Sequence, residues 1–368
     1  MSGDVEILRL PQDRERWERL LGRVVDHDIY HRPEYLALFD DRSRPGAPDA
    51  FFGRPCLFVL EDDSGLALHP LLERPLAGIP GLDGEFGGLH DLVSPYGYAG
   101  PLLEATGEAD RAVLAARFAD RCADRCRHDR TVAEFVRFHP VLGNAAHAAR
   151  ISPDRRGDVV VVDLRRDDHG LLAAMSQSTR SMIRGAGRRG VEVVAGGGDG
   201  PATLERLYLD SMRRRGAAAE YFLPSGFFAA MVEGLAGSIS LLVAREAGRA
   251  VAAAIFTACG THASYSFAGI EAGLPRSPAG RVLVYEGMRW ARDRGCTTMI
   301  LGGGVGAGVD GLLRFKRFFS RGSRPFHTAG RIHMPEVYRE LSSRRKAQIE
   351  RSDKPTLRGP GYFPEYRR

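Results

Sequence analysis

The amino-acid sequence predicts an α/β (α+β) protein of two tandem domains related by internal duplication. The chain has 368 residues, which is more than one ordinary domain needs and comfortable for two. Hydrophobic residues make up 43% of the chain and charged residues 27%, a balance typical of globular proteins with apolar cores. The strongest observation is a hairpin pattern that occurs once in each half, followed each time by the same order of elements.

Each half contains two short apolar runs separated by a tight turn, the pattern of a β-hairpin. The first hairpin joins Leu57–Glu61 to Leu66–Leu68, and the second joins Leu241–Glu246 to Ala250–Ala252. Each hairpin leads into a strand, a Gly/Pro-rich loop, a long helix and another strand. In the first half these are Leu89–Val93, Ser94–Pro101, Glu108–Arg127 and Val132–Phe138, and in the second Ala263–Gly269, Glu271–Gly280, Arg281–Arg294 and Thr298–Leu301. A repeated order of this kind indicates duplication.

The same reading divides the chain into a first domain over residues 1–152, a second over 153–335, and a C-terminal helix and tail over 336–368. The boundary is placed in Ile151–Gly157, a polar stretch that contains Pro153 and two arginines. The end of the tail carries three prolines and few aliphatic residues, which is typical of a segment that wraps the surface.

Several classes of protein are disfavoured. No run of about 18 uncharged apolar residues occurs, so no membrane span is expected. The first ten residues lack the apolar centre of a signal peptide, so we expect a cytoplasmic protein. Five cysteines without a CxxC pair indicate buried thiols in a reducing compartment. Cys122 and Cys126 are too few for a structural zinc site, and no metal is expected.

The lysines are unusual. The net charge is +6, yet only Lys316, Lys346 and Lys354 are lysines and the other basic side chains are arginines. Lys316 ends a glycine-rich run that starts at Leu301, where a strand should enter a turn and a helix should leave it. Glycines such as Gly303 and Gly304 let backbone N–H groups approach an anion, although a flexible connection explains most glycine-rich loops. The lone lysine favours an anion site, because a compact ammonium differs chemically from a guanidinium.

An arginine-rich segment offers a second candidate site. Arg180, Arg184 and Arg188 are spaced i, i+4 and i+8, which predicts one stripe on a helix that runs to about Arg189. No acidic residue lies between Arg180 and Arg189, so the stripe suits a phosphate backbone such as that of tRNA. A solvated helix face is the alternative explanation.

Two further motifs are less specific. Arg214 closes the run Ser211–Arg214 at a helix end, where an arginine also simply complements the helix dipole. Tyr96 and Tyr98 lie among glycines and prolines in Ser94–Pro101, which predicts either a rigid loop with packed rings or a ligand surface.

These motifs together resemble the Fem family, the aminoacyl-tRNA-dependent peptidyl transferases of bacterial cell-wall synthesis and their relatives in peptide antibiotic pathways. The resemblance covers roughly residues 25–335 and rests on Ser94–Pro101, Arg137–Pro140, Thr179–Val191, Ser211–Arg214 and Leu301–Lys316. It implies two tandem GNAT-like (acyl-CoA N-acyltransferase-like) domains, the first on the acceptor side and the second catalytic and on the tRNA side. It also implies that an amine of a peptide, a peptidoglycan precursor or a natural product attacks the aminoacyl ester, with aminoacyl-tRNA as co-substrate and no other cofactor.

The resemblance also implies roles for individual residues. Phe315 and Lys316 match the family's Phe-Lys pair, so Lys316 would stabilise developing negative charge or hold the terminal tRNA phosphate, and Phe315 would contact the tRNA end. Arg214 matches the phosphate-binding arginine of a Thr-x-x-Arg motif, with Ser211 in place of threonine. Glu104 matches an acidic residue that would accept a proton or bind the amine. The family's first-domain lysine has no counterpart here, which favours a small-molecule or peptide acceptor.

Two other functions remain open. An acyl-CoA N-acyltransferase would cradle pyrophosphate in a glycine-patterned loop before the second-domain helix, where this chain has Arg276–Arg281 without that pattern. A non-catalytic RNA-binding module would use the arginines without the chemistry.

Overall fold

The computed structural model describes residues 3–44, 46–79, 86–273, 277–304, 308–351, 358 and 361–368. The chain forms two compact units. Unit 1 comprises Met1–Arg155, Ala218–Glu220 and His327–Arg368, and unit 2 comprises Arg156–Ala217 and Tyr221–Phe326. The chain therefore returns to unit 1 after unit 2 is complete. The independent folding of the two predicted domains remains a prediction.

Helices and strands alternate along the chain. The first part contains β1 (Glu6–Arg9), α1 (Arg14–Leu21), α2 (Pro33–Ala37), β2 (Arg54–Asp62), β3 (Gly65–Pro75), β4 (His90–Val93), β5 (Leu102–Glu104), α3 (Glu108–His128) and β6 (Thr131–Arg137). It is followed by β7 (Asp154–Asp163), α4 (Asp168–Ala174), α5 (Gln177–Arg184), β8 (Val191–Ala195), α6 (Gly200–Arg214), α7 (Phe227–Gly234), β9 (Ile239–Glu246), β10 (Arg249–Cys259) and β11 (His262–Ile270). The last elements are α8 (Ala279–Asp293), β12 (Thr298–Gly302), α9 (Gly311–Arg317), β13 (Ser323–Ile332) and α10 (Pro335–Glu350).

The two units repeat one strand order. In unit 1 the sheet runs β1-β2-β3-β4-β6 and ends on the later half of β13, with β5 paired to β3. In unit 2 it runs β8-β9-β10-β11-β12-β7. All of these neighbours are antiparallel except β4 with β6 and β11 with β12, which are parallel. Each parallel pair is connected by one long helix, α3 or α8. The predicted hairpins and helices are confirmed.

The core of unit 2 lies between its sheet and α8. Leu283 and Met288 of α8 are buried against Phe256 and Ala254 of β10. A side chain at Gly287 would lie 2.1 Å from the Phe256 ring, so only glycine admits the ring there. Burial of each large apolar side chain stabilises the fold by about 1.5–3 kcal/mol.

The predicted arginine helix is shorter than expected. α5 ends at Arg184, and Gly187–Arg189 forms a separate 3₁₀ turn that Gly190 closes with φ of 67°. Glycine costs about 1 kcal/mol in a helix interior, and Gly185, Gly187 and Gly190 lie within six residues. The prediction that Arg180, Arg184 and Arg188 form one helical stripe is therefore wrong.

Two further findings concern the described part of the chain. No helix in it is long and apolar enough to cross a membrane. The cysteines are all free and buried, and the described residues form no group of three or more His, Cys, Asp or Glu that could hold a metal ion.

Candidate functional site

Lys316 lies at the edge of the unit 2 sheet where the parallel strands β11 and β12 end. α9 begins at Asp310, whose side chain accepts a 2.8 Å hydrogen bond from the Leu313 N–H and caps the helix. One and a half turns later the Lys316 Nζ donates a 2.7 Å hydrogen bond to the Gly303 carbonyl, just beyond β12. Only 9% of Lys316 is exposed. A buried ammonium is thus held at the strand ends, where ligands of open α/β sheets bind.

The electrostatics of this lysine are unfavourable for the protein. Burial and, to a smaller extent, the Arg215 guanidinium lower the pKa of Lys316 from 10.5 to about 8, although the Asp310 carboxylate opposes them. Its hydrogen-bond partner is a neutral carbonyl, which compensates a buried charge less than a carboxylate would. Such an ammonium can stabilise a negative charge that develops beside it during a reaction.

The neighbours of Lys316 in the motif have structural roles. Phe315 is half-buried against the unit 2 core and packs edge-on against Phe319, with ring centroids 5.2 Å apart. A Cβ at Gly304 would lie 2.1 Å from the Gly308 carbonyl oxygen, so the turn requires glycine. Gly303 presents its carbonyl to Lys316, and this oxygen cannot bind an anion. Residues 305–307 of the run lie outside the described residues, and the anion cradle of Gly303 and Gly304 stays a prediction.

Arg214 is engaged in fastening α6 to β11. Its Nη2 donates a 3.1 Å hydrogen bond to the Ser211 hydroxyl and another to the Ile270 carbonyl. The Ser211 oxygen also accepts a 3.1 Å hydrogen bond from the Ile270 N–H. Arg214 is exposed, so its remaining N–H groups leave the predicted phosphate contact open.

The predicted tRNA-binding arginines divide into two kinds. The Arg180 Nη1 donates hydrogen bonds of 2.6 Å to the Met175 carbonyl and 3.3 Å to the Ala173 carbonyl, which caps the end of α4. Arg184, Arg188 and Arg189 are exposed. RNA binding by these residues stays a prediction, and Arg180 has a structural role beside it.

The predicted residues of the first half all belong to unit 1. Glu104 accepts a 3.0 Å hydrogen bond from the Val25 N–H and lines a cavity of about 320 Å³ together with Asp26, Arg111 and His147. This cavity contains enough polar groups to hold an amine, which is the role predicted for Glu104.

The two loop tyrosines are half-buried and packed. Tyr96 lies edge-on to Phe51 at 4.9 Å, and its carbonyl accepts a 2.7 Å hydrogen bond from the Tyr35 hydroxyl. Tyr98 lies edge-on to Tyr30 at 5.8 Å. These contacts favour the packed-loop interpretation, and a ligand contact by either ring stays a prediction.

Two residues near Lys316 were missed by sequence reasoning, namely Arg215 and Tyr265. Arg215 follows α6, and its charge acts on both Lys316 and Tyr265. Tyr265 is on β11 opposite Phe256, and burial raises its pKa to about 12. Arg215 sits in a run of three arginines, whose directions depend on how α6 packs on the sheet. Nothing in the sequence separates them.

Comparison with known proteins places the fold. Residues 173–317 match the family of the acetyltransferase (GNAT) domain. A search of curated protein sequences gave no significant match. The crystal structure of FemX is similar with a TM-score of 0.64 at 12% identity, over 91% of this chain and 99% of that chain.

Two other solved structures are similar over most of their length. The C-terminal domain of a putative lysylphosphatidylglycerol synthetase from Agrobacterium fabrum has a TM-score of 0.51 at 17% identity, over 87% of this chain and 91% of that chain. L-PGS from Bacillus licheniformis has a TM-score of 0.50 at 13% identity, over 87% of this chain and 92% of that chain. The predicted fold class is confirmed, and the chain has the tandem GNAT fold in the Fem-like arrangement.

Proposed function

We propose that this chain is an aminoacyltransferase that moves an amino acid from aminoacyl-tRNA to an amine of a small molecule or peptide in the cytoplasm. The observation that carries the proposal is Lys316, a buried ammonium that lacks a carboxylate hydrogen-bond partner among the described residues. A charge kept in this state costs stability, so a role in binding or chemistry explains it better than a role in folding.

The reaction follows from the chemistry of an activated ester. The nitrogen of the acceptor amine attacks the carbonyl carbon of the aminoacyl ester, and a tetrahedral intermediate with a negative oxygen forms. The C–O bond to the tRNA ribose then breaks, the amine proton is transferred to the departing oxygen, and the products are an amide and deacylated tRNA. The Lys316 ammonium would stabilise the negative oxygen, an effect worth about 3–4 kcal/mol when such a group is preorganised.

Three further observations support this proposal. Phe315 precedes Lys316, as in the Fem pair, and lies half-buried at the same strand ends. Exposed arginines at 184, 188 and 189 follow α5 in unit 2 and suit a phosphate backbone. Among the similar structures, FemX and the lysylphosphatidylglycerol synthetase domain carry names that suit transfer of an aminoacyl group.

The test is consumption of radiolabelled aminoacyl-tRNA, assayed separately for each amino acid, with lysate small molecules and peptides as the acceptor pool. We expect one or a few aminoacyl-tRNAs to be deacylated faster than without acceptor, with the label recovered in an amide. Hydrolysis that does not depend on acceptor, or no consumption of any aminoacyl-tRNA, would count against the proposal.

A second candidate is an acyl-CoA N-acyltransferase, which the match of residues 173–317 to the acetyltransferase (GNAT) domain favours. The loop before α8 is the place where such an enzyme holds pyrophosphate. Arg276 lies outside the described residues, and Ser277 caps α8 by accepting a 3.1 Å hydrogen bond from the Ala279 N–H. Saturable acetyl-CoA binding by calorimetry, with acetyl transfer to an amine, would establish this function instead. Binding of tRNA without any transfer would indicate an RNA-binding module.

A further inference from the structure

Arg214 and Arg215 are adjacent in sequence but differ in their contacts. Arg214 is tied to Ser211 and to the Ile270 carbonyl, and Ser211 is 2% exposed. A Cβ at Gly269 would lie 2.3 Å from the Leu207 backbone, so α6 lies directly on β11. This packing and the Ser211 clamp fix the end of α6 beside the C-terminal end of β11.

Arg215 follows directly and is exposed. Among the described residues, none accepts a hydrogen bond from its guanidinium or forms a salt bridge with it. Its charge nevertheless reaches Lys316, whose pKa it helps to lower. Two cations are thus held near each other at the ends of β11 and β12, and like charges at such a place favour a shared anion.

Tyr265 adds a hydroxyl to the same edge. β11 and β12 run in parallel register with Ser264 beside Ile300, so Tyr265 is level with Leu301, two residues before the carbonyl that holds Lys316. Its ring packs on Phe256 with centroids 5.5 Å apart. No described residue forms a hydrogen bond with the Tyr265 hydroxyl, and the charge of Arg215 reaches it as well.

We propose that Arg215 and Lys316 together bind one phosphate group of the acyl donor, with the Tyr265 hydroxyl as an additional donor. The inference rests on the proposed function, since a phosphate-bearing acyl carrier is the ligand that the site would receive. The shared chemistry is a phosphate ester, which is present both at the end of a tRNA and in coenzyme A. The structure thereby assigns to Arg215 a binding role that the sequence motif gives to Arg214.

The test compares R215Q with R213Q in the full chain. Arg213 is the matched control, because it lies two residues away on the same helix and pairs with Asp210 at 3.0 Å on the surface. Binding of deacylated tRNA is measured between 50 and 200 mM salt, and binding of coenzyme A by calorimetry. We expect R215Q to reduce the log–log salt slope for tRNA by about 0.7–0.9, the value of one lost phosphate contact. R213Q should leave the slope unchanged.

A second readout separates binding from a purely structural role. Arg215 and Asp310 are the charged groups that act on Lys316, so R215Q should move the apparent pKa of Lys316 in the pH profile of transfer upward from about 8. Y265F should weaken tRNA binding less than R215Q, and R215K should restore part of it.

The outcomes separate the two proposals. If R215Q weakens coenzyme A binding and leaves the tRNA slope unchanged, the anion site stands and the proposed aminoacyl donor is wrong. If wild type transfers from aminoacyl-tRNA while R215Q equals it in salt slope, coenzyme A affinity and pH profile, the anion site is wrong and the proposed function stands. Equal slope losses in R213Q and R215Q would also overturn the inference, since surface charge alone would explain them.

Discussion

Replacing Lys316 with methionine removes the ammonium and keeps an unbranched, flexible side chain of similar length. In the folded protein this ammonium is nearly inaccessible, and it donates a hydrogen bond to the neutral Gly303 carbonyl at 2.7 Å. The substitution therefore affects two properties at once. It removes the proposed catalytic charge, and it removes a charge that the fold holds at a cost.

The pKa of Lys316 gives the size of that cost. A pKa of about 8 in place of 10.5 means that folding disfavours the charged form, and the difference corresponds to about 3 kcal/mol. Methionine carries no such penalty but loses the hydrogen bond to Gly303, so we expect K316M to be about 1–3 kcal/mol more stable than wild type near pH 7.

The pH dependence has a definite sign. Below about pH 8 the lysine is protonated in both states, and wild type bears the full penalty. Between about 8 and 10.5 the native lysine is neutral while the unfolded lysine stays charged, so wild-type stability rises with pH. The advantage of K316M should therefore shrink over this range and disappear above it.

Activity should move in the opposite direction. Loss of a preorganised charge at a developing oxyanion lowers the rate by about a hundred- to a thousandfold, and K316R should also lose most activity because a planar guanidinium cannot take the place of an ammonium. The measurements are urea unfolding at pH 7 and pH 10 and single-turnover transfer from aminoacyl-tRNA. Near-normal transfer by K316M, together with a loss of stability, would refute the reasoning and leave Lys316 as a structural residue.

Three further substitutions test the remaining structure. Asp91 is fully buried and accepts hydrogen bonds of 2.7 Å from Arg74 and 2.6 Å from Arg367, so D91N should cost about 3–5 kcal/mol in urea unfolding because it removes the buried counter-charge; a loss under 1 kcal/mol would contradict this. Burial opposes ionisation of Glu134, yet the imidazoles and Arg331 around it lower its pKa from 4.5 to about 2. The stability that wild type gains over E134Q should be complete above pH 4.5 and lost as the pH falls towards 2, and a constant difference across acid denaturation curves would contradict it. R180A should lower stability by about 1 kcal/mol through its lost carbonyl contacts, whereas the exposed Arg184 serves as the control, and equal melting temperatures for R180A and R184A would contradict the capping role.

The sequence was sufficient for the fold because its signals are local. The hairpin around Gly248 and the helix at Arg281–Arg294 are set by turn residues and by apolar spacing, and both are found at those places as β9–β10 and α8. The arginine helix failed for a local reason as well, since the periodic arginines drew attention away from Gly185 and Gly187. The return of the chain to unit 1 after Phe326 is a long-range feature and has no local signal.

The candidate site was predictable only where composition singled out a residue. Lys316 could be identified because nearly every other basic residue is an arginine. Arg214 and Arg215 could not be distinguished, because the difference between them arises from the contact of Gly269 with α6 and from the hydrogen bonds of Ser211 with Ile270. Both contacts join residues more than fifty positions apart, so no window of sequence contains them.

The buried cations of the two units point to the same conclusion about Lys316. Arg74 of unit 1 is 2% exposed and lies 2.7 Å from the Asp91 carboxylate; burial acts against its charge, but Asp91 and its other neighbours more than compensate and raise its pKa. Lys316 is buried almost as deeply, donates its hydrogen bond to a carbonyl, and has a lowered pKa. A cation that served only the fold would be expected to resemble Arg74, since a carboxylate partner makes its burial favourable. Lys316 instead keeps its charge available to a group that is bound from outside, which is the condition that an oxyanion or a phosphate would meet.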